Sequence, residues 1–483
     1  MNGLERIEFA IVTGVQSVSR GIRSYGLNQM KSRCNSYLSQ LCLSLSVQPP
    51  PTRLREILRQ LGPGMILTGS IVGSGELIAT PTLGAKVGLA ALWLIMISCV
   101  VKVVVQEELA RYTMLTGQTT FQALNRIPGP RWGVSWVVWC WLFMFVGVSF
   151  QQGGILGGVG QVFHLLFPAI GAKAWAVIAA AATVLVLLRG NYRMIETCCT
   201  IMVVSFTLIT VGGALMLPWT PYAIDAADLI DGLRFRIPEG GLAVAFAVFG
   251  ITGVGATELI YYPYWCLEKG YARFVGPREA ADCWLHRARG WIRIMQIDTL
   301  VAMVVYTVAT IAFYLLGAAV LHGKQQIPKG YEMVRTLSEI YTSTLGPWAF
   351  GLFLLGAFFV LYSTVFAAAA SNSRVLVDFM ELIRAIQIRD VRSQLFWRRV
   401  VVVVLLLVYT TWYLWLGEPV QMVIIGGIAQ ACMLPIIAFS TLYLRYKFVE
   451  RALRPHMLVD LLLWLCSLLM FGFAVYTLIS RLS

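Results

Sequence analysis

Long apolar runs separated by short polar loops recur from residue 58 to the end of the chain. Each run is close to the roughly 20 residues that a helix needs to cross a bilayer. The pattern predicts about eleven membrane spans, at 60–84, 88–112, 132–158, 174–190, 194–217, 240–265, 293–320, 347–373, 397–416, 419–444 and 457–480. An odd number of spans places the two ends of the chain on opposite sides of the membrane.

The first and sixth runs are interrupted in the same way. Val72–Leu77 reads VGSGEL and Val254–Leu259 reads VGATEL, so each run contains a glycine break followed by a glutamate. Paired interruptions of this kind are typical of secondary transporters, which bind substrate where two broken helices meet near the bilayer midplane. The predicted substrate-binding residues are Gly73, Ser74, Gly75, Glu76, Gly255, Ala256, Thr257 and Glu258.

Breaks in the first and sixth spans also predict the fold class. The sixth span follows five spans after the first and therefore begins on the opposite side of the membrane. The two sets of five spans then form an inverted repeat. We therefore expect an all-α polytopic membrane protein with five spans at 58–217, five inverted spans at 240–444 and an extra helix at 457–480. Residues 1–57 are basic and amphipathic, and we expect them to form a cytoplasmic N-terminal segment.

Composition agrees with a membrane protein. Hydrophobic residues make up 58% of the 483 residues and charged residues 13%, whereas soluble domains are about a quarter charged. The net charge of +14 comes from basic residues in loops, so it does not indicate nucleic-acid binding. Because basic loops favour the cytoplasmic side, we expect a cytoplasmic N-terminus. We expect the protein to lie in the plasma (inner) membrane. The cysteine and histidine spacings fit neither a disulfide framework nor a zinc site.

Further short motifs match one transporter family in order and spacing. They are Gly62-Pro63-Gly64, the segment 106–117 (QEELARYTMLTG), Arg193 with Glu196, Asp298, Ser363-Thr364 and Leu434-Pro435. With these residues the chain resembles the natural-resistance-associated macrophage protein (Nramp) family, within the amino acid-polyamine-organocation superfamily. The resemblance implies alternating-access transport of divalent metal ions coupled to protons.

The site residues depart from that family pattern. Its first-span Asp-Pro-Gly-Asn falls on Gly73-Ser74-Gly75-Glu76, and its sixth-span Met-Pro-His falls on Gly255-Ala256-Thr257. Acidic residues of its third span fall on Gln151 and Gly154. The aspartate and the thioether that suit soft transition metals are both absent here.

Two substrates remain open. A helix that restarts after a break offers free N–H groups and a positive dipole end, which favours a small anion such as bicarbonate. Alternatively, Glu76 and Glu258 are hard oxygen ligands that suit a divalent cation, Mg²⁺ or Mn²⁺. The glutamates also fit a helix-capping role or the binding of a coupling ion, H⁺ or Na⁺.

Other charged or polar residues are candidates for coupling or charge balance: Lys102, Gln151 and Asp298. Lys102 lies inside the second run, where it could neutralise an anion, pair with Glu107 or Glu108, or extend towards the surface. A membrane sensor that does not transport is the remaining hypothesis. Because no nucleotide-binding loop or catalytic triad is present, we expect a transporter and not an enzyme. We also expect it to be a monomer without a cofactor.

Overall fold

The computed structural model describes residues 47–73, 75–236, 242–278, 282–455 and 457–482, which form a helical bundle. The membrane helices, called the first to eleventh spans, are Pro63–Val72 with Thr80–Val87, Leu92–Thr116, Trp136–Leu166, Ala172–Arg189, Tyr192–Met216, Leu242–Ile251 with Ala256–Lys269, Asp282–Leu316, Ala349–Leu382, Val391–Leu416, Pro419–Phe448 and Met457–Leu482. Most of the predicted 1–57 segment lies outside the described residues.

Short elements connect the spans. Five short α-helices are Leu54–Gln60, Thr120–Leu124, Ala226–Asp231, Tyr271–Val275 and Met333–Leu345. Single helical turns of other types are the π-helical Gly75–Ala79 and Gly317–His322 and the 3₁₀-helical Leu217–Trp219, Gly330–Glu332 and Arg451–Leu453. Strands Arg131–Trp132 and Val134–Ser135 pair antiparallel.

Length and apolarity alone identify nine helices of the described chain that could cross a membrane, or ten when the bent pair Leu54–Gln60 and Pro63–Val87 is counted. The second span is not among them. It carries Lys102, Glu107, Glu108 and Arg111, yet most of it is buried between other helices. Its charges are therefore accommodated by protein and not by lipid.

Several helices extend beyond the apolar runs that predicted them. The seventh span was predicted at 293–320 and begins at Asp282; the eighth was predicted at 347–373 and ends at Leu382. Apolar periodicity marks only the part of a helix within the hydrocarbon layer, which is about 30 Å thick. The amphipathic helix Met333–Leu345 was not predicted, because its apolar residues do not form a continuous run.

The spans divide into a buried centre and a periphery. The sixth span is buried along its apolar length, and the third and eighth are largely buried, whereas only a minority of the residues in the fourth, fifth, ninth and eleventh are buried. Glycines in the third span permit this packing: side chains at Gly157 and Gly160 would overlap the Tyr413 ring and the Ala172 carbonyl. Small residues at helix contacts are the usual solution in membranes.

The sixth and tenth spans are in direct backbone contact. A β-carbon at Gly250 would overlap the carbonyl oxygen of Gly427, and one at Gly427 would lie 2.7 Å from the carbonyl oxygen of Ala247. The two backbones therefore touch without intervening side chains. This contact fixes the first half of the sixth span just before its break.

We expect Gly250→Ala to destabilise the protein by about 3 kcal/mol, because the added methyl group must separate the two backbones. Thermal unfolding of the purified protein measures the effect. Gly212→Ala is the control, since nothing lies within 4 Å of a β-carbon there. That change should be neutral or stabilise by up to about 1 kcal/mol. Equal melting temperatures for the two variants would contradict the backbone contact.

Candidate functional site

The described residues on the two sides of the first break have different helix types. The α-helix ends at Val72, and the backbone is π-helical from Gly75 to Ala79. The Gly73 N–H donates to Thr364 Oγ1 of the eighth span at 2.8 Å, and the same hydroxyl donates to the Gly69 carbonyl at 2.9 Å. A side chain at Gly73 would overlap this hydroxyl. Ser74 lies outside the described residues.

The sixth span has a true interruption. Its first half ends at Ile251 and its second half begins at Ala256. Between them Gly253 has φ of +64°, a left-handed conformation that favours glycine. Gly255 is extended and precedes the new helix. The predicted glycine break is therefore fully formed in this span.

The two breaks lie against each other. A β-carbon at Gly75 would be 3.1 Å from the Ile251 carbonyl oxygen. Glu76 is completely buried, and its Oε1 accepts hydrogen bonds from the Gly253 N–H at 3.2 Å and from the Thr310 hydroxyl at 2.8 Å. Glu76 thus bonds the first span to the sixth and seventh.

Lys102 binds the carbonyl end of the sixth break. Its Nζ lies 2.6 Å from both the Phe249 and the Thr252 carbonyl oxygens, and the side chain is fully buried. Carbonyls at the end of a half-helix carry a partial negative charge that attracts cations. Lys102 therefore neither extends to the surface nor pairs with Glu107 or Glu108; a cation fixed to the protein occupies this position.

Glu258 heads a chain of hydrogen bonds across four spans. Its Oε1 lies 2.8 Å from the Ser70 hydroxyl and its Oε2 lies 2.7 Å from Thr257 Oγ1. Thr257 Oγ1 and the Thr257 N–H both contact Gln430 Oε1, at 2.8 and 3.1 Å. The Gln430 amide then donates to Gln151 Oε1 at 2.9 Å. Gln151 is thus brought to the site from the third span.

These contacts define where one proton must lie. The Thr257 N–H can only donate, so the atom it meets on Gln430 is the amide oxygen, an acceptor. For both of its contacts to be hydrogen bonds, the Thr257 hydroxyl must give its single proton to that oxygen. Its 2.7 Å contact with Glu258 Oε2 then requires a proton on the carboxyl. The hydrogen-bond chain is complete only with a neutral Glu258.

Asp298 is not brought to the breaks. Its carboxylate accepts from the Gly62 N–H at 2.9 Å, the Gly64 N–H at 2.7 Å and the Tyr262 hydroxyl at 3.0 Å. The two glycines lie at the start of the first span, about 14 Å along the helix from Gly73. Asp298 therefore satisfies the free N–H groups of that helix end, a capping role.

The described residues contain no group of three or more His, Cys, Asp or Glu side chains arranged to hold a metal ion. Two buried oxygens near the breaks nevertheless lack a hydrogen-bond partner within the described chain, Glu76 Oε2 and Thr252 Oγ1. Buried polar atoms without partners are rare and point to a missing ligand or water.

The family assignment rests on the sequence as a whole. The family described as natural resistance-associated macrophage protein-like matches this chain over residues 64–480. The chain belongs to the Nramp family.

Its Nramp relatives are distant. An uncharacterised protein of Pasteurella multocida is 22% identical over 359 residues, which are 72% of this chain and 77% of the relative. The divalent metal cation transporter MntH of Ralstonia nicotianae is 25% identical over 347 residues, which are 69% of this chain and 72% of the relative. The chain is therefore similar to a known transporter.

Solved structures show the fold. A manganese transporter of Eremococcus coleocola, crystallised as a point mutant, aligns with a TM-score of 0.62 at 16% identity over 90% of this chain and 88% of that chain. The transporter MhsT, in complex with L-phenylalanine, aligns with a TM-score of 0.54 at 15% identity over 88% of this chain and 99% of that chain. The predicted fold of two inverted five-span repeats plus one helix, with the first and sixth spans discontinuous, is confirmed.

The sequence predictions missed several members of this site. Ser70, Thr310 and Gln430 contribute side chains from the first, seventh and tenth spans. Each is a polar residue within an apolar run, which is the available signal. Thr364 had been noted only as part of a family motif. None of these four could be connected to the breaks without the fold.

Proposed function

We propose that this Nramp-family transporter carries a small planar oxyanion, with bicarbonate as the specific candidate. The observation that supports this substrate is the Lys102 ammonium on the sixth-span carbonyls. A divalent cation at the breaks would be repelled by this buried positive charge.

The anion's place is the start of the second half of the sixth span. There the Thr257 N–H and hydroxyl are free of helix bonding and both meet a carbonyl-type oxygen of Gln430. An anion oxygen that displaced Gln430 Oε1 would receive the same two hydrogen bonds, with the positive helix end behind them. A neutral Glu258 beside it would not repel the anion.

A hard divalent cation, Mg²⁺ or Mn²⁺, is the second candidate. The buried oxygens without partners, Glu76 Oε2 and Thr252 Oγ1, favour it, because hard cations bind carboxylate and hydroxyl oxygens. In this case Glu76 and Glu258 would be the metal ligands and Lys102 would have to leave its position. The MntH relatives are divalent metal cation transporters, which is consistent with this candidate.

Transport into proteoliposomes separates the candidates. For the anion, radiolabelled bicarbonate enters liposomes that contain the protein, and excess Mn²⁺ does not compete. For the cation, Mn²⁺ or Mg²⁺ reaches an enclosed metal-sensitive dye, and Glu76→Gln abolishes the signal. A protein that binds a solute but moves neither would be a sensor, and the transport proposal would be wrong.

Thr257→Val tests the anion position. Valine keeps the shape and removes the hydroxyl donor, so we expect the apparent affinity for bicarbonate to fall about tenfold, the value of one hydrogen bond to a charged group. Thr411→Val is the matched control, because the Thr411 hydroxyl bonds only its own helix, at the Leu407 carbonyl, on an exposed face. The same loss of affinity in both variants would contradict the proposed position.

A further inference from the structure

A polar cavity lies away from the breaks, among four spans. It has a volume of about 440 Å³ and lies where the fourth span ends, the fifth begins, the eighth passes and the ninth begins. Four arginines and one glutamate line it: Arg189, Arg374, Arg398, Arg399 and Glu268. The lining is therefore strongly positive, with a formal charge of +3 from these side chains (four positive, one negative).

The single glutamate is already used by two of the arginines. Arg374 makes a bidentate pair with Glu268 at 2.8 and 2.9 Å, and Arg398 Nη1 contacts the same carboxylate at 2.6 Å. Arg374 also lies over the Trp265 ring, 4.3 Å from its centroid, so its position is fixed. Glu268 has no further capacity to neutralise the other guanidinium groups.

The remaining donors are available to a ligand. Arg398 Nε is buried and has no hydrogen-bond partner within the described chain. Arg189 and Arg399 are exposed and extend the positive lining outwards. The fifth span begins at Tyr192 beside them, with Asn191 as its cap, which adds the positive end of a 25-residue helix. Planar guanidinium groups match the oxygens of a phosphate particularly well.

We propose that this cavity binds a phosphate group, carried either by the headgroup of an anionic phospholipid or by a soluble phosphate. The fourth and ninth spans are peripheral, and Leu395 on the rim is 46% exposed, so acyl chains have an apolar surface beside the arginines. Because the loop after the eighth span is rich in arginine, the positive-inside rule places the cavity at the cytoplasmic leaflet. Basic pockets between spans on that side are typical sites for anionic headgroups.

The test uses the full chain in detergent and the double variant Arg189→Gln/Arg399→Gln, which leaves the Glu268 pairs intact. Native mass spectrometry measures retention of phosphatidylglycerol, and thermal unfolding measures stabilisation by inorganic phosphate. We expect the double variant to bind the phosphate group about tenfold more weakly for each guanidinium removed. Arg392→Gln is the control, because Arg392 is exposed on the ninth span and does not line the cavity.

The two probes distinguish the sources of the phosphate. If the parent protein retains the lipid and the double variant does not, and inorganic phosphate causes no thermal shift, the ligand is a lipid headgroup. A thermal shift in inorganic phosphate that the double variant loses identifies a soluble phosphate. If the parent, the double variant and Arg392→Gln behave alike with both probes, the proposal is wrong. The outcome is independent of which ion is transported at the breaks.

Discussion

Lys102→Met is expected to abolish bicarbonate uptake into proteoliposomes, with a loss of about 100-fold or more. Methionine keeps the length of the side chain but removes the ammonium from the Phe249 and Thr252 carbonyls. Removing one member of a buried group of charges costs about 3–5 kcal/mol, which corresponds to at least two orders of magnitude in a rate or a binding constant. Initial rates of radiolabelled uptake measure the effect.

Lys86→Met is the matched control, because Lys86 is exposed near the end of the first span and should leave uptake unchanged. Melting temperatures of both variants separate loss of transport from loss of folding. One result would favour the divalent cation instead. If Lys102→Met remains folded and begins to transport Mn²⁺ or Mg²⁺, the ammonium excludes cations from a metal site, and the second candidate replaces the first.

Glu258→Gln is expected to remove the pH dependence of anion binding. In the parent protein the hydrogen-bond chain from Ser70 to Gln151 needs a proton on Glu258. Raising the pH removes that proton and places a negative carboxylate beside the anion site, so the affinity should fall about tenfold per pH unit once Glu258 ionises. Glutamine is neutral at every pH and can donate to Thr257, so its affinity should stay constant.

Binding measured at one fixed bicarbonate concentration, at several pH values, tests this result without changing the amount of ligand. Glu56→Gln is the control, since Glu56 is exposed on the short helix Leu54–Gln60 and should retain the parent's pH profile. An unchanged pH profile in Glu258→Gln would show that the linked proton lies elsewhere. Glu76 would then be the next carboxylate to examine.

The fold was predictable because its signals are local. Apolar runs of about 20 residues identify the spans, and the repeated glycine-glutamate motif identifies which two are broken. The form of each break was less predictable. Gly253 and Gly255 produce an open interruption. In the first span the α-helix ends at Val72 and a π-helix begins at Gly75, and Thr364 of the eighth span accepts a hydrogen bond from the Gly73 N–H there.

The site was predictable only in part. Glu76, Thr257 and Glu258 lie at the breaks, as their positions in the motifs indicated, but their function as substrate ligands stays a prediction. Asp298 lies at the start of the first span and not at the breaks, and its role in coupling stays a prediction. The position of Lys102 depends on how the second span packs against the sixth, which is 150 residues away in sequence. Such distant pairs leave no trace in a single sequence.

The position of the Lys102 ammonium also bears on how the transporter depends on its surroundings. Many carriers fill a carbonyl site at a broken helix with a sodium ion from the medium, and their activity therefore varies with salinity. Here the positive group is a part of the polypeptide and cannot dissociate. Uptake should therefore proceed at the same rate when external sodium is replaced by choline.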